Sequence, residues 1–296
     1  MENITFEDVI RESLRCGEIH AEAKFSLLKE EASNRIIGSE APGAWWANIK
    51  SSVRKMYESL KNLTVKLASY LKTFPIKYEK IRKEAYMATL RYGQEKKLLD
   101  LEKNTSRYRI VEDNEHTVVN IGYYTKVIKT IVDYLRSTVN FEDINANGIE
   151  ENKANAAIDG MEDILDRIGR ESAVTTTIMK TNKPEAIREV FDFIKFGGKA
   201  RKAFEADAEE IMDVISTMGQ LSDRIASLYD EAYKNQDEAK IVAITSALSF
   251  IRRVCSIFSV LAAKLLNFAS EAVLSYTQYI DAALSDWVLI GPSSEN

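Results

Sequence analysis

Cysteine and histidine occur twice each in this 296-residue chain, proline four times and glycine twelve. So few thiols and imidazoles leave little material for a disulfide framework, a metal cluster or His-based catalysis. The scarcity of glycine and proline argues against all-β and doubly wound folds, which need those residues at frequent turns. The N-terminus lacks a leader-like apolar core and carries Glu2, Glu7 and Asp8 instead, so synthesis for the cytoplasm of the host is the expectation. Long uncharged runs are missing too. The most apolar stretch, Ile241 to Leu266, is interrupted by Arg252, Arg253 and Lys264. Its uncharged runs of about ten residues fall short of the roughly 20 a spanning helix needs, so it reads as a buried core helix.

What is present is apolar mass at helical spacing: 45% of residues are hydrophobic and 29% charged, with a net charge of -5. Thr5 and Asp8 form a capping-box pair before a helix whose apolar face is read as Phe6, Ile10, Leu14, Ala21, Phe25 and Leu28. A corner follows at Gly38 to Gly43. Trp46, Ile49, Val53, Met56, Leu60, Leu63, Leu67, Tyr70 and Phe74 then alternate spacings of three and four, a coiled-coil-like seam on one rod. Pro75 is expected to end or kink it, with Tyr78, Ile81, Ala85, Ala88 and Tyr92 resuming an apolar face as a hairpin arm or a bent continuation. Val118, Ile121, Val127, Ile128, Ile131, Leu135 and Val139 mark a further helix, and Ile158, Met161, Leu165 and Ile168 a shorter one.

The Thr-rich run Ala173 to Met179 favours extended backbone, but one strand makes no sheet, so a structured loop is expected. Pro184 opens a short helix that stops at Gly197-Gly198. Two long stripes end the chain, Phe204 to Tyr229 and Ile241 to Tyr279, joined by the polar turn Asn235-Gln236-Asp237. The expected fold is all-α: an elongated bundle of about seven to eight helices with a long C-terminal antiparallel helical hairpin. Its expected division is 1–174, with a basic helix pair at 47–97, and 185–290, unless the two form one continuous bundle.

Charge is unevenly placed. Residues 47–97 carry 13 basic and four acidic side chains, whereas 1–46, 98–172 and 173–296 are each net acidic. Lys50, Arg54, Lys55, Lys61, Lys66, Lys72, Lys77, Lys80, Arg82 and Lys83 lie mostly off the apolar seam and are the candidate contacts for a partner. A basic amphipathic helix suits nucleic-acid phosphate, an anionic lipid surface, or an acidic protein face, including this chain's own acidic helices. Trp45 and Trp46 could anchor in a membrane interface or plug the end of a bundle.

Sites for chemistry are thin. Asp143 to Gly148 matches the first half of a calcium loop, but Glu150 and Ala154 stand where an apolar residue and a bidentate Glu belong, and a polar turn explains the run equally well. Gly197-Gly198-Lys199 lacks the spacing of a phosphate loop. His20 and His116 have no neighbours suited to metal ligation. Cys16 and Cys255 fall on apolar stripes as buried thiols, with a disulfide between them left open. No catalytic residue, metal or cofactor is assigned.

Gly43-Ala44-Trp45-Trp46 feeding a Lys-rich amphipathic rod to Lys97 resembles segments of helical structural or internal virion proteins of large tailed bacteriophages. The resemblance covers about a fifth of the chain and implies a non-enzymatic virion component, with basic helices near genome or capsid and other subunits, self or virion, as partners. A second resemblance is to membrane-active, α-helical pore-forming toxins, with Ala200 to Leu284 as the apolar hairpin. Arg252, Arg253 and Lys264 stand against it, because they would have to enter lipid or face a lumen.

Overall fold

A computed structural model describes residues 4–37, 42–89, 92–144, 149–170 and 176–290. Within these the chain forms eight α-helices and two small antiparallel ribbons. In order they are α1 (Phe6–Ile37), α2 (Pro42–Thr89), α3 (Tyr92–Lys103), β1 (Tyr108–Ile110), β2 (Glu115–Val119), α4 (Ile121–Thr138), α5 (Glu151–Arg170), β3 (Thr176–Lys180), α6 (Pro184–Phe196), α7 (Gly198–Lys234), α8 (Glu238–Asp286) and β4 (Trp287–Leu289). The architecture is an all-α helical bundle. Part of the Gly38 to Gly43 corner, the Trp45 and Trp46 side chains, Asn145 to Gly148, Ala173 to Thr175 and the tail from Gly291 lie outside the described residues.

Local chemistry explains the element ends. The Thr5 amide and hydroxyl both donate to the Asp8 carboxylate, at 2.8 and 2.6 Å, while the Asp8 amide donates to Thr5 Oγ1, closing the capping box of α1. These bonds to Thr5 hold the Asp8 carboxyl below its ordinary range. Gly197 takes φ +75° and donates its amide to Phe193 O, ending α6 in the left-handed conformation that glycine adopts at no steric cost. α2 runs on through Pro75, so neither a hairpin nor a helix end occurs there. The helix loses one backbone bond at that point, and the buried Phe74 and Tyr78 rings stack across it at 6.2 Å. α7 and α8 form the expected antiparallel hairpin. Phe204 and Phe268, equally far in sequence from the turn residue Gln236, meet edge to face at 6.4 Å.

Two compact units share the helices, and neither follows the expected boundary between Thr175 and Pro184. One comprises residues 1–72, 128–166 and 208–263; the other comprises 73–127, 167–207 and 264–296. In the first, the α2 seam from Ile49 to Leu67 is buried with Ile131, Leu135, Ile158, Met161, Ile211, Ile215, Ile251 and Phe258. Met56, Leu60, Leu63 and Leu67 are fully buried, and burying such a side chain stabilises a fold by about 1.5–3 kcal/mol.

The second unit holds an aromatic chain, Phe74, Tyr78, Phe204, Phe268 and Tyr124, with ring centroids 4.5 to 6.4 Å apart. Both ribbons belong to it, and they correct two readings. β3 is a strand, not a loop, because it pairs with β2 from Glu115↔Lys180 to Val119↔Thr176. Val118 therefore lies in a strand, and the helix that follows starts at Ile121. β1 pairs with β4, Tyr108↔Leu289 to Ile110↔Trp287. A buried polar knot ties the ribbons to the end of α8. Thr181 Oγ1 accepts the Asn114 amide at 3.1 Å, Thr181 O accepts Trp287 Nε1–H at 2.7 Å, and Asn114 Nδ2 donates to Asp286 at 3.1 Å. With these groups satisfied, a fully buried threonine is tolerated.

α1 packs on a face turned about 120° from the one its apolar pattern suggests. Val9, Glu12, Ser13, Cys16, His20 and Ala23 are buried, whereas Leu14 and Phe25 are 65% and 69% exposed and Phe6 is 39% exposed. The helix seats its smaller, more polar stripe and turns its larger apolar side chains outward.

α8 is the one helix among the described residues long and apolar enough to cross a membrane by length and composition, which the count of uncharged runs did not suggest. Most of its apolar window is buried inside the structure, as a core helix requires.

Candidate functional site

The ten basic candidates lie on α2, where the structure gives them different tasks. In the first unit, Lys50, Arg54, Lys55, Lys61 and Lys72 are exposed. At 100° per residue, Lys50, Arg54, Lys61 and Lys72 fall within about 40° of one line along the outer face of the helix. The exposed Val65 lies on the same line. From Lys50 to Lys72 this stripe runs roughly 33 Å. Arg54 pairs with Glu58 at 2.8 Å, an open i,i+4 contact of small energetic weight. Lys66 is withdrawn from the stripe: its ammonium reaches the buried Glu12 carboxylate of α1 at 2.6 Å.

Acidic α7 runs beside this stretch. Tyr57 donates to Asp223 at 2.5 Å, which with burial pushes the phenol up to about 12, and Lys50 sits 4.7 Å over the Tyr233 ring. A shallow groove of about 520 Å³ lies between the two helices, with Thr64, Val65, Ala68 and Lys72 on one wall and Glu209, Met212 and Asp213 on the other. Part of the basic charge is thus met from within the chain: Lys50 and Lys72, although exposed, flank acidic α7, and Arg54 pairs with Glu58.

In the second unit, Lys80 and Lys83 are exposed and pair with Glu84 and Glu79, at 3.8 and 3.5 Å, and Lys77 is half-buried. Arg82 is only 5% exposed. Its fork grips Glu79 through Nε at 3.0 Å and Nη2 at 2.5 Å, and its Nη1 donates to the Ile194 and Lys195 carbonyls at the end of α6. Arg82 is a helix cap supplied from another helix, and these bonds leave it turned away from any partner. The same hydrogen bonds hold the Glu79 carboxyl below its ordinary range.

Beneath α1 lies a buried polar layer that periodicity did not reveal. Cys16 Sγ meets Ser59 Oγ at 3.5 Å, Ser13 donates to Ser256 at 3.2 Å, and His20 Nε2 donates to Met56 O at 3.0 Å. The Arg252 guanidinium lies next to Gly17. The signal was present in the sequence as Ser59, Arg252 and Ser256 on otherwise apolar helices, opposite the small and polar stripe of α1. Burial pushes both the Cys16 and Cys255 thiols up and the His20 imidazole down to about 4. Each shift favours the uncharged form, the reverse of what an activated thiolate or a working imidazolium needs. Both cysteines are free thiols.

The remaining candidates are separate. Asp143 is exposed at the end of a single 3₁₀ turn, Phe141–Asp143, Ile144 and Ala154 are buried, and Glu150 is exposed and paired with Lys153 at 2.8 Å; Asn145 to Gly148 lie outside the described residues. His116 in β2 packs edge-on to Tyr279. Among the described residues no group of three His, Cys, Asp or Glu converges where a metal could sit. The sequence matches no protein-family model, and no curated protein or solved structure matches it either.

Proposed function

We propose that this protein is a non-enzymatic structural or assembly component that works by helix-on-helix docking and lays the outer face of α2 against nucleic-acid phosphate. The setting implied by the resemblance of residues 43–97 is a bacteriophage virion. One observation carries the reading: Lys50, Arg54, Lys55, Lys61 and Lys72 stand exposed on one helix within one compact unit, in a chain whose net charge is negative. A phosphate backbone presents about one charge per 1.7 Å of duplex, so a rigid basic line of this length has charge to meet all along it, without reading bases.

The test is binding to a random-sequence duplex between 50 and 200 mM salt. With all five cations engaged, log K should fall against log salt with a slope of about -4.5, a several-hundred-fold loss across that range. The triple variant Arg54→Gln, Lys61→Gln, Lys72→Gln should flatten the slope to about -2. Binding that does not change with salt removes phosphate as the partner and leaves an acidic protein face.

A further inference from the structure

α1 is seated on polar groups rather than on a core of its own. Among its described side chains those buried are Val9, Glu12, Ser13, Cys16, His20 and Ala23, with Val9 the largest aliphatic of them. On α2, by contrast, Met56, Leu60, Leu63 and Leu67 are all fully buried. A helix with so little apolar contact opens at a lower free energy than the α7–α8 hairpin. Polar pairs hold it down: Lys66 donates to Glu12 at 2.6 Å, Ser13 to Ser256 at 3.2 Å, and His20 Nε2 to the Met56 carbonyl at 3.0 Å, while Cys16 Sγ meets Ser59 Oγ at 3.5 Å. We propose that acid releases α1 locally, with His20 as the trigger, while the rest of the first unit stays folded.

What faces the imidazole makes it the trigger. Its Nε2–H is taken by Met56 O, and the buried Nδ1 has no partner. The charge it senses is the Arg252 guanidinium of α8, half-buried, with Nε unpartnered and Nη1 3.4 Å from where a side chain on Gly17 would begin. Around Arg252 stand Cys16 of α1 and Cys255 of α8, both kept as neutral thiols, with Arg253 as a second cation and Glu162 of α5 as a carboxylate. Glu12 is already engaged by Lys66. A proton arriving at Nδ1 therefore finds a cation and no acceptor, and water reaches it only when α1 lifts away. Lifting away uncovers Ser59, Leu63 and Lys66 on one face of α2, and Arg252 and Ser256 on α8. Burial pushes the imidazole down to about 4, against 6.5 once the helix is open. The open form thus binds the proton first. Closure is strongest above pH 6.5 and weakens as pH falls toward 4, which favours the open form about thirtyfold more at pH 5 than at neutral pH.

Hydrogen exchange read by mass spectrometry on the full chain tests this at pH 7.5, 6 and 5, with rates corrected for intrinsic exchange. Amides of residues 9–23 should lose protection about thirtyfold between pH 7.5 and 5, while those of residues 211–229 on α7 and 244–262 on α8 keep theirs. His20→Gln, which retains a donor for Met56 O, should abolish that pH dependence. Arg252→Gln gives a second arm should the first variant loosen α1 at every pH: with the neighbouring cation gone, the closed helix accepts the proton more readily and the acid loss of protection should shrink. Protection of α1 that ignores pH, or that falls together with α7 and α8, would overturn the proposal. So would a loss of the same size in both variants.

Discussion

Arg82→Met should cost about 3–5 kcal/mol of stability, visible as a large drop in urea midpoint, although the residue lies in the most basic stretch of the chain. In the folded state this guanidinium is 5% exposed and makes four hydrogen bonds, two to Glu79 and two to carbonyls at the end of α6. Those carbonyls carry the negative end of the helix dipole and have no intrahelical donors. Removing the cation leaves them and a partly buried carboxylate unmatched at once, and breaking a buried pair from one side costs in that range. Arg82→Lys should recover only part of the loss, because an ammonium is a point charge and cannot span Glu79 and two carbonyls with a planar fork. Adding Glu79→Gln to Arg82→Met should cost less than the two single losses summed, since the orphaned charge is then gone.

The second large effect is a pH dependence set by His20. Its ring is 4% exposed, and Nε2 must be the protonated nitrogen because it donates to the Met56 carbonyl. Nδ1 has no hydrogen-bond partner, so a second proton would bury an N–H with nothing to accept it. Desolvation accordingly pushes the group down to about 4 from 6.5. The unfolded chain then binds the extra proton first. The stability that neutral His20 contributes is complete above about pH 6.5 and is lost as pH falls from there toward 4, to a total of about 3 kcal/mol. Carboxylates held low by hydrogen bonds, Asp8 and Glu79 among them, start from unfolded values of 3.8 and 4.5, so they act at the acid end of this window and below it. Urea titrations at pH 7.5, 6, 5 and 4.5 should show the decline in wild type, and His20→Gln, which keeps a donor for Met56 O, should flatten it. An unchanged slope in that variant would locate the proton elsewhere.

The bundle was legible because helical burial writes a period into the chain. Every seam residue from Ile49 to Phe74 is buried, and so are Phe204, Ala208, Ile211, Ile215, Met218, Ile225 and Tyr229 on α7. The ribbons were hidden for the opposite reason. Val118 joins the apolar spacing of α4, and the partner of β2 lies some 60 residues downstream, so no local pattern announces the pair. α1 misled because its larger apolar side chains are not its core. Glu12, Ser13, Cys16 and His20 are seated only because Lys66, Ser59, Ser256 and the Met56 carbonyl stand opposite, information held in other helices. The basic stretch was visible as composition. Whether a given cation faces outward, as Lys61 does, or caps a neighbouring helix, as Arg82 does, depends on what packs against it.

The proposed function is one of contact: the exposed basic side chains of α2 hold this chain against other molecules. The most direct measurement is the mass and composition of the native assembly, purified without high salt from the cells or particles that make the protein and read by native mass spectrometry. The prediction is this chain held in a complex with other protein, its own copies included, or with nucleic acid. A lone 33.5 kDa chain free of both would contradict it.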